Sequence, residues 1–161
     1  MKNIIAVLFL TYCLSSCNWI PPGPNAPFFC KINGKNFRPE KDTSPIGGIG
    51  SDPLNVTVDE KDGGITIYVR NDPNFIGITL IPENKILEKG IFKVNNKHIG
   101  IFSPDRTANN VDYIVAQNGN FEITKLGDKK ISGTFEFTCK STKTSKEYKI
   151  TKGCFNNLTY Y

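Results

Sequence analysis

The chain has few of the residue types that most often carry catalysis and metal binding. His98 is its single histidine, and the patterns Gly-x-Ser-x-Gly, His-Glu-x-x-His and Ser-x-x-Lys do not occur. Sites built from several imidazoles are therefore excluded, and without Cys-x-x-Cys spacing a structural zinc ion lacks its usual ligand set. We predict no catalytic residues, no metal and no cofactor.

Long apolar runs are also lacking. The longest, from Ile4 to Leu10, follows Lys2 and is much shorter than the roughly 20 residues that a membrane-spanning helix needs. A charged start followed by a short apolar core is typical of a secretory signal, which is removed during export. We therefore expect an exported protein, and export makes nucleic acid an unexpected partner.

The signal ends in Leu14-Ser15-Ser16-Cys17. This ending resembles the lipobox of bacterial lipoproteins. The resemblance implies that residues 1–16 are removed and that Cys17 becomes the new N-terminus, diacylated through its sulfur and then acylated on its amine. Because two acyl chains already give stable attachment, we expect a permanent lipid anchor in the membrane.

Residues 17–27 are predicted to tether a single domain, residues 28–161, to this anchor. Four prolines among residues 21–27 remove amide donors and hold the backbone extended, which gives a stiff spacer. The segment directly after Cys17 lacks the acidic residues that send some lipoproteins to the cell surface. We therefore expect a location in the cell envelope, at the outer membrane and facing the periplasm.

Short alternating or β-branched runs separated by Gly, Asn, Asp and Pro recur along the domain, and no 3.6-residue apolar stripe is present. The pattern predicts an all-β fold of about ten short strands, either an antiparallel β-sandwich or a partly closed barrel. Asn33-Gly34 predicts a tight hairpin turn. Asn118-Gly119 predicts another, joining a strand at Asp112–Ala116 to one at Phe121–Thr124.

The clearest predicted strand is Lys130–Cys139, in which apolar or small residues alternate with polar ones. Phe135 and Phe137 should face the core, and Glu136 should face water. Lys149–Phe155 should return antiparallel after a polar loop.

Three stretches carry a family resemblance: Phe-x-Cys-x-Ile-Asn-Gly-Lys near residue 28, Ile-Ser-Gly-Thr-Phe-Glu-Phe-Thr from Ile131, and Ile-Thr-x-Gly-x-Phe from Ile150. In order and spacing they are similar to a domain-of-unknown-function family of short all-β envelope lipoproteins of Gram-negative bacteria. The resemblance implies an envelope location and an antiparallel β fold, and it supplies no catalytic residues.

Three cysteines remain once Cys13 has left with the signal and Cys17 carries the lipid. In an oxidising compartment Cys30 could pair with Cys154, or with Cys139. Pairing of Cys139 with Cys154 is disfavoured, because the expected hairpin register separates them by several residues. The alternative is three buried thiols that behave as small hydrophobic side chains.

Two functional classes follow. The first is a non-catalytic binding or interaction module for a protein or glycan partner, with the loop from Pro39 to Pro53 as the expected contact surface. The second is a hydrolase of envelope glycans that uses loop carboxylates such as Asp52, Asp105 and Asp112. A lipocalin-like carrier of a small apolar ligand is a further alternative. An exposed apolar patch would favour the binding module. A cleft that holds two carboxylates, one with a raised and one with a lowered pKa, would favour the enzyme.

Overall fold

A computed structural model describes residues 26–40, 52–106 and 111–160, which form ten antiparallel strands. The predicted signal, Cys17 and most of the tether and of the 39–53 loop lie outside the described residues. The strands are β1 (Phe28–Ile32), β2 (Lys35–Phe37), β3 (Leu54–Asp59), β4 (Gly64–Asn71), β5 (Asn74–Leu80), β6 (Gly90–Lys93), β7 (His98–Ser103), β8 (Ile114–Gly127), β9 (Lys130–Lys140) and β10 (Glu147–Thr159).

The strands form one continuous sheet in the order β2-β1-β10-β9-β8-β7-β5-β4-β3, with β6 paired to β8. The sheet curls, and the segment that follows β2 comes within hydrogen-bond distance of the end of β4. There the Glu40 amide donates to the Arg70 carbonyl at 3.0 Å, and the Asn71 side-chain amide donates to the Arg38 carbonyl at 2.9 Å. The all-β prediction is confirmed, and of its two forms the half-open barrel is the one observed. Among the described residues no helix is long and apolar enough to cross a membrane.

The first hairpin forms where the sequence predicts it. Asn33 and Gly34 connect β1 to β2 with φ angles of 48° and 82°. Two successive positive φ angles define the tight turn that suits the right-handed twist of paired strands, and Asn-Gly adopts it at low steric cost.

The hairpin predicted at Asn118-Gly119 is wrong, because Ile114 to Gly127 form one continuous strand, β8. Its pairing with β9 shifts between Ala116 and Asn118, which marks a β-bulge. The bulge reverses the alternation, so that Ala116 and Phe121 both face the core although their positions differ in parity. Gly119 has a φ angle of 146°, which glycine adopts readily, and it lies within the strand rather than in a turn.

The core lies inside the curl and is dominated by phenylalanine rings stacked over glycines on neighbouring strands. A methyl group on Gly153 would lie 2.6 Å from the Phe135 ring, and one on Gly100 would lie 3.0 Å from the Phe137 ring. The missing side chains let the rings lie against the backbone, which permits the tight curl. In the part of the chain that the structure describes, these rings and the aliphatic residues of the core cluster occupy the inside of the sheet.

Candidate functional site

The three carboxylates considered for hydrolysis do not gather at one place. Asp105 follows β7 and Asp112 precedes β8, so these two lie at neighbouring strand ends. Asp52 precedes β3, which is three strands away from β7 and hence about 14 Å across the sheet. That separation exceeds the distance of about 5 to 9.5 Å between the paired carboxylates of glycoside hydrolases.

Asp112 has a structural partner. Its Oδ2 atom accepts a hydrogen bond of 2.6 Å from the hydroxyl of Ser141, which is 1% exposed. The same hydroxyl oxygen accepts from the Thr144 amide at 3.0 Å. Asp112 therefore fastens the β9–β10 turn to the start of β8.

His98 begins β7 and is half-buried. Its ring packs edge-on against Phe92 at a centroid distance of 5.0 Å, and its backbone amide donates to Asn95 Oδ1 at 2.8 Å. No group of three or more histidine, cysteine, aspartate or glutamate side chains in the described ranges could hold a metal ion.

The disulfide considered from the sequence is not formed, and Cys30, Cys139 and Cys154 are free thiols. Phe29, not Cys30, lies opposite Cys154 in the β1–β10 register. Since Cys30 belongs to the core and alternate residues point to opposite faces, the side chains of Cys30 and Cys154 lie on different sides of the sheet. Cys30 and Cys139 are separated by the intervening β10, a gap of about 10 Å that exceeds disulfide reach.

Burial keeps all three thiols protonated at neutral pH. It raises the pKa of Cys139 to about 12, with a further rise from the nearby Asp112 carboxylate. Burial also raises the pKa of Cys30 well above its usual value, and the neighbouring Cys154 adds to the rise. For Cys154 burial again raises the pKa, although a hydrogen bond from the Phe29 backbone partly offsets the effect.

We expect iodoacetamide to alkylate the folded, non-lipidated protein slowly, and first at the half-buried Cys154. Cys30 and Cys139 have no exposed surface, and the thiolate is the reactive form. Peptide mass spectrometry after timed alkylation measures the order. In denaturant without reductant all three should react, and a pair that stays unreactive there would show that a disulfide does form.

An aromatic patch lies on the outer face of the sheet. It is made by Tyr68, Phe75, Ile101, Tyr113 and Val115. Tyr68, Tyr113 and Val115 are 42%, 59% and 55% exposed. The Phe75 ring lies between the two tyrosines, 6.0 Å from each ring centroid, tilted toward Tyr68 and edge-on to Tyr113.

The strand register explains how this aromatic patch arises. Tyr68 pairs with Gly77, Gly77 with Ile101, and Ile101 with Val115, so one row crosses β4, β5, β7 and β8. The neighbours of these residues along the strands, such as Ile67, Ile76 and Phe102, are buried in the core. The row therefore faces outward, and the Phe75 ring lies over Gly77 at its middle, where an added methyl group would be 3.3 Å from that ring.

Ser103 lies beneath the aromatic patch. It pairs with Phe75, and continuing the β7–β8 register by one residue places it beside Tyr113. Ser103 has no exposed surface, and its Oγ is the buried side-chain polar atom that lacks a hydrogen-bond partner among the described residues. Buried hydroxyls are normally paired, so the two rings cover an unsatisfied group.

A second outer surface is a groove of about 1000 Å³ across β6, β8, β9 and β10. It is lined by Ile91, Asn120, Glu122, Thr134, Lys152 and Cys154, among others. The Thr134 hydroxyl donates to Glu122 Oε2 at 3.3 Å, and both side chains are exposed. This hydrogen-bonded pair of polar groups is exposed, whereas the unpartnered Ser103 hydroxyl beside the aromatic patch is buried.

Comparisons with protein families, curated proteins and solved structures found no match to this chain. The aromatic patch was not identified from the sequence. The alternation Ile65-Thr66-Ile67-Tyr68 does place Tyr68 on the polar side of its strand, and that was the one available signal.

Proposed function

We propose that the chain is a lipid-anchored, non-catalytic binding module of the Gram-negative cell envelope, which takes its partner on the aromatic patch. The observation that carries this proposal is the outward position of Tyr68 and Tyr113, in contact with Phe75, on a sheet whose other face already forms the core. Single exposed apolar residues are common, but contiguous ones with several aromatic rings favour an interaction site.

Ring chemistry supports this assignment. Tyrosine presents a large apolar face at a low entropic cost, because few torsions must be fixed, and its hydroxyl can remain solvated before binding. Such side chains are among those that carry most of the binding energy at interfaces. The distance of Asp52 from the other two carboxylates, and the hydrogen bond that Asp112 accepts from Ser141, offer less support to the hydrolase alternative.

Hydrogen bonds fix the point where the chain enters the domain, and this point limits how far the domain could lie from a lipid anchor. Asn156 holds this entry, since its backbone amide donates to the Pro27 carbonyl at 2.9 Å and its side-chain amide donates to the Ala26 carbonyl at 3.1 Å. If Cys17 carries the lipid, residues 18–26 reach at most about 30 Å. The domain would then work within one domain diameter of the membrane.

Tyr113→Ala is expected to weaken binding to isolated envelope fragments by about tenfold or more, the effect typical of an aromatic anchor. The measurement is saturable co-sedimentation of the exported chain carrying Cys17→Ser, so that the lipid does not dominate attachment. Tyr68→Ala should act in the same direction. Ile91→Ala is the matched control, because Ile91 is apolar and 69% exposed but lies in the groove rather than in the aromatic patch.

Equal binding by the Tyr113→Ala variant and its parent would remove the aromatic patch from the proposal. Turnover of an envelope glycan, lost in an Asp105→Asn or Asp112→Asn variant that remains folded, would replace the binding module with the hydrolase.

A further inference from the structure

We infer that the ligand of the aromatic patch is a glycan, with one pyranose ring stacked on the exposed tyrosines and one sugar hydroxyl bonded to Ser103 Oγ. The inference rests on the proposed function, since it names the class of partner for the same surface. It uses three features: the size of the aromatic patch, the polar groups around it, and the covered hydroxyl beneath it.

The aromatic patch by itself is much smaller than a standard protein interface. It crosses four strands, or roughly 14 Å, and extends two residues along each strand, or about 7 Å. A standard protein–protein interface buries about 800 Å² on each partner, several times this footprint. Its dimensions suit a short oligosaccharide, whose rings each present an apolar C–H face to an aromatic side chain.

Polar side chains border the rings on the same outer face. Asn55 pairs with Tyr68 across β3 and β4, and Arg70 pairs with Phe75 across β4 and β5. The hydroxyls of Thr66 and Thr79, two residues along from Tyr68 and Gly77, lie 3.2 Å apart. Amide, guanidinium and hydroxyl groups at the rim of an apolar surface match a sugar, which carries hydroxyls around the edge of its ring.

Ser103 supplies the specific polar contact. It is buried at the strand position between Phe75 and Tyr113, whose rings meet edge-on, and its hydroxyl has no partner among the described residues. A rotation of the Tyr113 side chain, which is 59% exposed, would uncover the hydroxyl. An apolar ligand would leave it unsatisfied, whereas a sugar hydroxyl could both donate to it and accept from it.

The test uses the exported chain with Cys17→Ser and three soluble probes: chitotetraose, cellotetraose and maltotetraose. Titration calorimetry should show saturable binding of at least one probe. Tyr113→Ala should weaken it about tenfold or more, and Ile91→Ala should leave it unchanged. Ser103→Ala should weaken it about fivefold, the loss expected for one neutral hydrogen bond.

Ser103→Ala also has a second, independent readout. Removal of a buried hydroxyl without a partner should raise the midpoint of thermal unfolding while it lowers the affinity. A merely structural serine would change stability and leave probe binding unchanged, and that result would overturn the role of Ser103. If no probe binds or competes while Tyr113→Ala still abolishes binding to envelope fragments, the glycan inference is wrong and the proposed function stands. If neither binding is detected, both fail.

Discussion

Replacement of Phe135 by alanine should lower the free energy of unfolding by about 3 to 5 kcal/mol. The Phe135 ring is 3% exposed and contacts the rings of Phe28, Phe137 and Phe155 at centroid distances of 5.2, 6.3 and 6.4 Å. It also covers Gly153, which has no side chain to fill the resulting space. The loss would therefore leave a cavity bounded by rings and backbone that cannot collapse fully. Equilibrium urea unfolding measures the change.

The matched control is Glu136→Ala, one residue further along the same strand. Glu136 lies on the outer face and is exposed, so its removal should change the unfolding free energy by no more than about 0.5 kcal/mol. Comparable losses at Phe135 and Glu136 would mean that the strand is turned over and that the alternation has been misread.

The contrast between β9 and β8 shows which structural information resides in local sequence. In β9 the alternation of apolar and polar residues continues without interruption, so the inward positions of Phe135 and Phe137 follow from the chain alone. In β8 the same reasoning fails at Asn118-Gly119. Asparagine followed by glycine occurs both in tight turns and at bulges, and the choice here depends on β9, which pairs with β8 from Ala116 to Gly127.

The aromatic patch illustrates the same limit at the level of the site. Local alternation assigns Tyr68 to the outer side of β4, but apolar residues occupy both sides of β7 and of the start of β8. The proximity of the patch residues depends on the strand order β8-β7-β5-β4, which removes β6 from the series and pairs it with β8 instead. Nothing in a single strand encodes that order, since it depends on how the complete sheet buries its inner face. The covered hydroxyl of Ser103 is likewise a product of three strands meeting.

Cys30 and Cys139 both belong to the core cluster, where buried thiols behave as small hydrophobic side chains. The bulge in β1 between Phe29 and Lys31 could not be read from the sequence, and the register around it aligns Phe29 with Cys154. The sequence therefore allowed a disulfide between Cys30 and Cys154, whereas in the structure their side chains lie on opposite faces of the sheet.

Cys17→Ser should abolish lipid attachment altogether. The thioether to diacylglycerol requires a sulfur nucleophile at that position, and a serine hydroxyl offers none. Acyl chains contribute about 0.8 kcal/mol for each buried methylene group, so their loss removes nearly all of the expected membrane affinity. Growth with a radiolabelled or clickable fatty acid, followed by gel analysis of the immunopurified chain, should show label in the parent and none in the variant.

Cys13→Ser is the control, because Cys13 lies four residues upstream, inside the segment predicted to be removed. That variant should retain the full label and the same mass after processing. Comparison of the two variants distinguishes a specific requirement for the lipid-bearing cysteine from a general requirement for thiols in the signal segment. Label that persists in Cys17→Ser, or a mature N-terminus found downstream of residue 17, would contradict the lipoprotein hypothesis and leave an ordinary secreted domain. In that case the tether would no longer hold the domain within roughly 30 Å of the membrane, and binding through Tyr68 and Tyr113 would occur without this restriction.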